Sequence, residues 1–137
     1  MDKQKIVFLD ANIFLELILN DKKAENCAVL LNKIKDKEVI AKTSDFIIYT
    51  CMLQIQFKLK SVEKTQKFIL FINQLKGLEI LRPSLGDIFD ATAISEKYKL
   101  DFDDSLVVSC MKSNNIQDLF SFDKDFNKVE IIKRLEP

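Results

Sequence analysis

The stretch Ile6-Val7-Phe8-Leu9-Asp10 decides how the chain is expected to fold. Its first four residues are all apolar and include β-branched side chains. A run of this kind, without polar alternation, is typical of a strand that is buried on both faces of a parallel sheet. The run ends at an aspartate, and a segment of helical period follows it. The stretch therefore predicts a buried strand with a carboxylate at its carboxyl end.

The rest of the chain repeats this alternation of short apolar runs and longer amphipathic segments. The predicted strands are Ile6–Leu9, Val39–Ala41, Glu79–Leu81, Leu119–Phe120 and Glu130–Ile132. Four predicted helices are Ile13–Leu19, Lys22–Ile34, Asp45–Leu59 and Asp103–Asn114. A fifth is capped by Ser61, runs through Leu75 and is closed by Gly77. A sixth opens with a capping box at Ser84 and Asp87 and runs to about Tyr98. Strands that alternate with helices in this way form parallel sheets covered on both faces. The predicted fold class is α/β, a three-layer α/β/α sandwich with a five-stranded parallel sheet.

Length and composition limit the class of protein. A chain of 137 residues fits one domain that spans residues 1–137, and 47% hydrophobic with 31% charged residues is the composition of a globular domain. The 21 basic and 21 acidic residues cancel, so no overall charge attracts the molecule to nucleic acid or to a membrane. No apolar run reaches the roughly 18 residues of a membrane span, and Met1–Lys5 lacks the pattern of a signal peptide. We expect a cytoplasmic protein without a membrane partner.

The chain contains no histidine, and this excludes several kinds of catalytic site. Ser-His-Asp and Cys-His nucleophile systems and His-ligated zinc sites all need an imidazole. Cys27, Cys51 and Cys110 are odd in number, far apart and set in apolar stretches, which predicts reduced core residues. The chemistry is left to carboxylates, lysines, hydroxyl groups or an oxygen-ligated metal.

Five aspartates fall where the elements of such a sheet end or begin. Asp10 ends the first strand, Asp103 and Asp104 open a helix, and Asp123 and Asp125 follow the fourth strand. Ligands of open α/β sheets bind in the crevice at the carboxyl ends of the strands. Two carboxylates about 5 Å apart repel each other by roughly 3 kcal/mol, so several together require protonation or a cation. Oxygen ligands alone favour Mg²⁺ or Mn²⁺.

Three ordered motifs resemble those of the PIN-domain ribonucleases. Phe8-Leu9-Asp10-Ala11-Asn12 resembles the opening motif, in which a strand-terminal aspartate is followed two residues later by Asn or Ser. Asp104-Ser105-Leu106 resembles the third acidic motif at a helix start. Ser121-Phe122-Asp123-Lys124-Asp125-Phe126 resembles the closing hydroxyl-x-Asp motif. Their order and spacing fit the family over the whole chain.

The resemblance implies a Mg²⁺- or Mn²⁺-dependent endoribonuclease with an α/β/α fold. Small members of the family are often the toxins of Vap-type toxin–antitoxin pairs and commonly form homodimers, so RNA, an antitoxin and a second copy are the expected partners. By the same resemblance, Asp10, Asp104 and Asp123 are the catalytic residues and metal ligands. Helix caps at Asp10 and Asp104, a turn at Asp123 and a competing role for Asp103 are the alternatives.

Two further residues of the motifs are supporting candidates. The Asn12 amide and the Ser121 hydroxyl either orient the carboxylates or cap the backbone locally. Asp125 is interpreted as a turn residue or as an acid outside the ligand set, and Glu16 as a solvated residue of the first helix.

One position departs from the family pattern. PIN domains usually carry a glutamate in the helix after the second strand, and aligning that helix places Thr50 at this position. Asp45 is the nearest carboxylate, but it lies about 140° around the helix from Thr50 and favours the helix N-terminus electrostatically. A noncatalytic PIN-fold module that binds RNA or protein is therefore the alternative to a ribonuclease. Receiver and phosphatase domains are less compatible, because Asp10-Ala11-Asn12 lacks the second aspartate of D-x-D.

Two surface features are candidate interfaces. Lys58, Lys60 and Lys64, at the junction of two helices, form a possible RNA footprint or an ordinary solvated face. The surrounding helices also carry more apolar residues than one helix stripe needs, which is typical of a dimer or antitoxin interface or of a core. These residues are Ile47, Ile48, Met52, Ile55, Phe68, Phe71 and Ile72.

Overall fold

The central strand of the fold is the apolar run at the start of the sequence. The computed structural model describes residues 5–137, and its five strands form one parallel sheet. In chain order they are β1 (Ile6–Leu9), β2 (Ile40–Ser44), β3 (Leu78–Leu81), β4 (Asp118–Phe120) and β5 (Lys133–Leu135), with the spatial order β3-β2-β1-β4-β5. Phe8 and Leu9 are completely buried because β1 has a strand on each side and a layer of helices on each face.

Six α-helices cover the two faces of this sheet. They are α1 (Ala11–Ile18), α2 (Ala24–Lys35), α3 (Asp45–Leu59), α4 (Val62–Gln74), α5 (Leu85–Tyr98) and α6 (Phe102–Ser113), and a short 3₁₀ helix covers Lys124–Lys128. Right-handed crossovers place α1 to α4 on one face, and α5 with α6 on the other. The contacts agree, since α1 packs on α2 and α3 while α5 packs on α6. The three-layer α/β/α prediction is confirmed.

Two predicted helix starts are fixed by the expected side-chain caps. Ser61 Oγ accepts the N–H of Lys64 at 3.2 Å at the start of α4. At the start of α5, Ser84 Oγ accepts the N–H of Asp87 at 3.1 Å, and the Asp87 carboxylate accepts the N–H of Ser84 at 2.9 Å. This reciprocal pair is the predicted capping box.

Gly77 has a role other than the predicted one. It does not close α4, which ends at Gln74. Its N–H donates to the carbonyl of Ile34 at 2.9 Å, and a Cβ at this position would lie 2.6 Å from that oxygen and 2.7 Å from the carbonyl oxygen of Val39. Gly77 therefore permits a close approach of two backbones next to β3.

The fifth strand lies three residues later than predicted. Glu130–Ile132 forms a turn, in which the N–H of Ile132 donates to the carbonyl of Val129 at 3.1 Å, and the strand is Lys133–Leu135. Ile132 of the turn packs on the core and Val129 before it is almost fully buried, whereas Ile131 is 48% exposed. The strand is polar in sequence because it forms an edge of the sheet, so its hydropathy pattern does not mark it.

The apolar surplus of α3 and α4 belongs mainly to the core of the chain itself. Five of the seven residues that were candidate interface residues are buried: Ile47, Ile48, Ile55, Phe68 and Ile72. Met52 and Phe71 are partly buried against the same core. The interface prediction is therefore wrong for the five buried residues.

The predicted state of the cysteines is confirmed. Cys27, Cys51 and Cys110 are buried free thiols. Burial raises the pKa of Cys27 and Cys110 to about 11 and that of Cys51 to about 12, so all three are unreactive thiols at neutral pH.

Within residues 5–137, no helix is long and apolar enough to cross a membrane.

Candidate metal centre

The candidate site lies at the carboxyl edge of the sheet, where β1 and β4 end. Asp10 follows β1 directly, and the segment that begins with Ser121 follows β4 directly. Because the two strands are parallel neighbours, their ends meet at this edge. The first turn of α6 brings Asp103 and Asp104 to the same place. The charge of Asp103 acts on Asp10, and the charges of Asp10 and Asp123 act on Asp104.

Asp10 is held by a hydrogen-bond network that joins the ends of the two strands. Only 8% of the residue is exposed. Ser121 Oγ donates to Asp10 Oδ2 at 2.6 Å, and the Ala11 N–H donates to Oδ1 at 2.8 Å. The Asn12 amide donates to Asp10 Oδ2 at 3.4 Å and to Ser121 Oγ at 3.3 Å. Asp10 therefore caps α1 and is also fixed in orientation by the two supporting residues.

The segment after β4 is tied to the same network. The N–H of Phe122 donates to the Asn12 side-chain oxygen at 3.3 Å, and the N–H of Asp123 donates to Ser121 Oγ at 3.0 Å. Asp123 Oδ1 in turn accepts the N–H of Asp125 at 2.9 Å and opens the 3₁₀ helix. Asp123 is thus both a turn residue and a member of the site.

Three carboxylates form a compact cluster of oxygens. One oxygen each of Asp104, Asp123 and Asp125 lies within 4.8 Å of the others. Asp125 was interpreted from sequence as an acid outside the ligand set, and the structure places its carboxylate within this cluster. The two carboxylates are close because Asp123 caps the 3₁₀ helix by accepting the N–H of Asp125, a local hydrogen bond that the hydropathy of the sequence does not indicate.

The acids perturb one another strongly. Burial, and then the negative charges of Asp103, Asp10 and Asp123, raise the pKa of the Asp104 carboxyl to about 8. Burial also raises the pKa of Asp10, against the opposing hydrogen bonds from Ser121 and Ala11. A cation at this place would relieve the repulsion between the carboxylates.

The other candidate residues lie at different distances from this cluster. Asp103 is exposed and acts on Asp104 through its charge. Lys58, Lys60 and Lys64 are exposed, and Lys58 lies about 20 Å along α3 from Asp45 by the helical rise. Glu16 accepts the N–H of Lys23 at 3.0 Å and so ties α1 to the start of α2.

The motifs in this arrangement agree with a comparison of the whole sequence with family profiles. The profile of the PIN domain matches residues 7–132. The chain belongs to the PIN domain family. A search of curated proteins by sequence gives no match.

Solved structures of PIN-like toxins share the fold at low sequence identity. The VapC20 toxin of Mycobacterium tuberculosis, which cleaves the sarcin-ricin loop, superimposes with a TM-score of 0.77 at 14% identity, over 96% of this chain and 99% of that chain. VapBC2 from Rickettsia felis, bound to a promoter DNA fragment, superimposes with a TM-score of 0.74 at 18% identity, over 96% of this chain and 98% of that chain. A toxin–antitoxin complex from Klebsiella pneumoniae superimposes with a TM-score of 0.70 at 16% identity, over 96% of this chain and 99% of that chain.

This PIN domain has no carboxylate at the position aligned with the usual helix glutamate. Thr50 is half-buried, and its hydroxyl donates to the carbonyl of Phe46 in its own helix at 2.9 Å. Asp45, in the first turn of α3, lines a separate pocket with Arg82. Among the described residues, the compact oxygen cluster takes no member from α3.

The donor set of this PIN domain fits a hard divalent cation. Carboxylate oxygens are the ligands that the site offers, and the three thiols are buried with raised pKa values. Oxygen-only sites favour Mg²⁺ or Mn²⁺ over Zn²⁺ or copper. The residues that would hold such an ion are Asp104, Asp123 and Asp125, with Asp10 beside them.

Proposed function

We propose that this PIN domain is an endoribonuclease that hydrolyses RNA phosphodiester bonds with Mg²⁺ or Mn²⁺. The observation that carries the proposal is the cluster of Asp104, Asp123 and Asp125 oxygens within 4.8 Å, beside the buried Asp10. Like charges at this separation are costly without a cation, and a bound cation can activate a water for attack and stabilise negative charge on the phosphate.

Each residue of the site has a role in this proposal. Asp10, Asp104 and Asp123 are the proposed catalytic acids and metal ligands, and Asp125, a member of the oxygen cluster, adds a fourth carboxylate to the site. Asn12 and Ser121 are positioning residues, because both hydrogen-bond to Asp10 and to each other. The bound cation would supply a water of lowered pKa and stabilise the negative charge that grows on the phosphate oxygens.

Cleavage of a labelled RNA by the purified protein tests the proposal. We expect cleavage with Mg²⁺ or Mn²⁺, none with EDTA, and a loss of at least a hundredfold in Asp104→Asn, on the scale of a lost electrostatic stabiliser. Asp36→Asn is the matched control, since Asp36 is an exposed aspartate at the C-terminal end of α2. Equal cleavage by Asp104→Asn and the wild type would contradict the proposed site.

A noncatalytic PIN-fold module is the second candidate, and Thr50 is the observation that favours it. The hydroxyl of Thr50 is engaged with its own helix, so it replaces neither the charge nor the reach of a glutamate. This candidate predicts that the wild type binds RNA or protein and shows no cleavage with either cation. The same cleavage assay, combined with RNA binding, separates the two.

We also propose that the chain acts as the toxin of a toxin–antitoxin pair. The likeness to toxin–antitoxin complexes supports an antitoxin partner, and α4 carries an apolar surface for one. Val62, Ile69 and Leu70 are exposed on α4 and line a cavity of about 440 Å³ with Met52 of α3. Leu70→Glu is expected to release a co-expressed antitoxin, and retention of the complex would contradict this assignment.

A homodimer is the proposed assembly, formed through exposed apolar residues of α3 and α5. They are Leu53 and Phe57 on α3 and Leu85 and Phe89 on α5, and the two phenylalanines are each 79% exposed. Large exposed aromatic side chains are typical of an association surface. We expect a dimer by light scattering and a monomer for Phe57→Glu. A wild-type monomer at micromolar concentration would contradict the proposed homodimer.

The cytoplasmic location stays a prediction.

A further inference from the structure

A pocket of about 440 Å³ opens next to the acid cluster. It lies between the first turns of α3 and α5, and its lining includes Phe46, Arg82 and Leu106. Leu106 is two residues beyond Asp104 on α6. Residues two apart on a helix point about 200° away from each other, so the first turns of α6 lie between the pocket and the candidate metal centre at the carboxyl edge of the sheet.

Two aromatic rings join the pocket to the acids. Phe102 immediately precedes Asp103 and is 46% exposed, although it is a large apolar side chain. Its ring meets that of Phe46 edge to face, with 6.3 Å between the ring centroids and 88° between the planes. The pair leaves aromatic surface open to solvent beside the carboxylates. Unpaired bases of single-stranded RNA stack on aromatic surfaces of this kind.

Arg82 gives the pocket a positive charge. It follows β3, is exposed, and forms no ion pair with any residue in the described range 5–137. Asp45, the carboxylate in the same lining, is not within ion-pair distance of it. The ends of β3 and β1 are two strand spacings apart, about 10 Å. An arginine binds phosphate oxygens with two parallel hydrogen bonds, so Arg82 offers a contact for a backbone phosphate at the same edge of the sheet as Asp10.

We propose that this pocket binds an unpaired base of the RNA substrate, next to the scissile phosphate. Phe102 and Phe46 form the stacking surface, and Arg82 binds the adjoining backbone phosphate. The inference rests on the proposed ribonuclease function and adds to it a subsite for one unpaired base, which a duplex cannot fill because it keeps its bases stacked within the helix.

Binding of a short fluorescein-labelled single-stranded RNA tests the pocket without cleavage. The measurement uses full-length Asp104→Asn protein, so that the RNA stays intact. Adding Phe102→Leu should weaken binding about five- to a hundredfold, since leucine keeps the apolar contact and removes the ring. Tyr98→Leu, at the opposite end of α5, is the matched control and should bind as the parent does. Phe102→Trp should retain the affinity.

Salt dependence tests Arg82 separately. Arg82→Gln should reduce the slope of log K against log salt by about 0.7, the value for one phosphate contact of a single strand. Lys35→Gln, which removes a charge from the last turn of α2, should leave the slope unchanged. A duplex of the same sequence should bind more weakly than the single strand.

The outcomes separate this inference from the ribonuclease proposal. Base-dependent binding in a protein that shows no cleavage would overturn the ribonuclease proposal and keep the pocket. Cleavage with unchanged binding by Phe102→Leu would overturn the pocket and keep the nuclease. A change in molecular mass of Phe102→Leu, with RNA affinity unchanged, would assign the rings to a protein interface and overturn the inference as well.

Discussion

Asp104 shows how a single carboxyl group couples this site to the stability of the fold. Its pKa is raised to about 8, first by burial and then by the charges of neighbouring acids. The folded state therefore holds a proton that the unfolded chain loses near pH 4. The fold must lose stability as the pH rises between these two values, and the loss ends above about pH 8.

The first prediction is that Asp104→Asn flattens this pH dependence in metal-free protein. We expect the wild type to lose roughly 1–3 kcal/mol of unfolding free energy between pH 5 and pH 8, less than the full shift in pKa implies because water screens a half-exposed cluster. Urea unfolding at several pH values measures the slope. Equal slopes for the variant and the wild type would place the titrating group elsewhere.

The second prediction concerns Ser121, whose hydroxyl serves two acids at once. It donates to Asp10 at 2.6 Å and accepts the N–H of Asp123 at 3.0 Å, in a fully buried position. Ser121→Ala should cost about 1–3 kcal/mol in unfolding free energy at neutral pH, because a buried carboxylate loses its donor. Thr92→Ala is the control, since the hydroxyl of this exposed residue donates to the carbonyl of Phe89 in its own helix at 2.7 Å. Equal stability losses would show that the network adds nothing.

The sequence indicated the individual aspartates of this site, but it did not indicate which side chains lie close together in space. Asp10, Asp104 and Asp123 are marked by their places at a strand end, a helix start and a strand end. The position of Asp125 depends on the 3₁₀ helix after Asp123, which has no hydropathy signal of its own. The exposure of Phe102 depends on the packing of α6 against α3, and the sequence of α6 alone does not determine that packing.

At the scale of elements, patterns predicted the buried parts of the fold and failed at its edge. β1 is buried on both faces and reads as an apolar run, whereas β5 is an edge strand that reads as polar. In the turn at Glu130–Ile132, Ile132 packs on the core while Ile131 is 48% exposed. The hydropathy signal reports apolar side chains and not strand structure, so an apolar turn beside a polar edge strand is mistaken for the strand.

The third prediction belongs to α3, the helix that lacks the expected acid. Thr50→Glu should tighten Mn²⁺ binding by about 1–3 kcal/mol, on the scale of a charge-assisted contact, and raise cleavage. Asp45→Asn should cost at most about 1 kcal/mol of stability and leave metal affinity unchanged, because Asp45 acts at the helix start. Isothermal titration of both variants measures this. If Asp45→Asn loses the metal while Thr50→Glu changes nothing, Asp45 is the fourth acid.

At the scale of the whole molecule, zero net charge conceals a concentrated negative site. The 21 basic and 21 acidic residues cancel, yet five aspartates gather at one edge of the sheet. Any polyanion must be bound locally, next to acids that repel it, so the proposed RNA binding depends on charge compensation by a cation and by Arg82. Metal binding should therefore stabilise the whole fold, because the folded chain alone assembles the site.

The fourth prediction is that Mn²⁺ raises the melting temperature of the protein. At a free concentration ten times the dissociation constant, binding to the folded state adds about 1.4 kcal/mol. For a chain of this size, the shift is about 3–6 °C. NaCl at equal ionic strength should give a much smaller shift, since mobile ions screen a half-buried cluster poorly. Asp104→Asn should reduce the response to Mn²⁺ but start from a higher melting temperature at pH 8. Equal shifts with Mn²⁺ and NaCl would mean that the acids repel one another without forming a metal site.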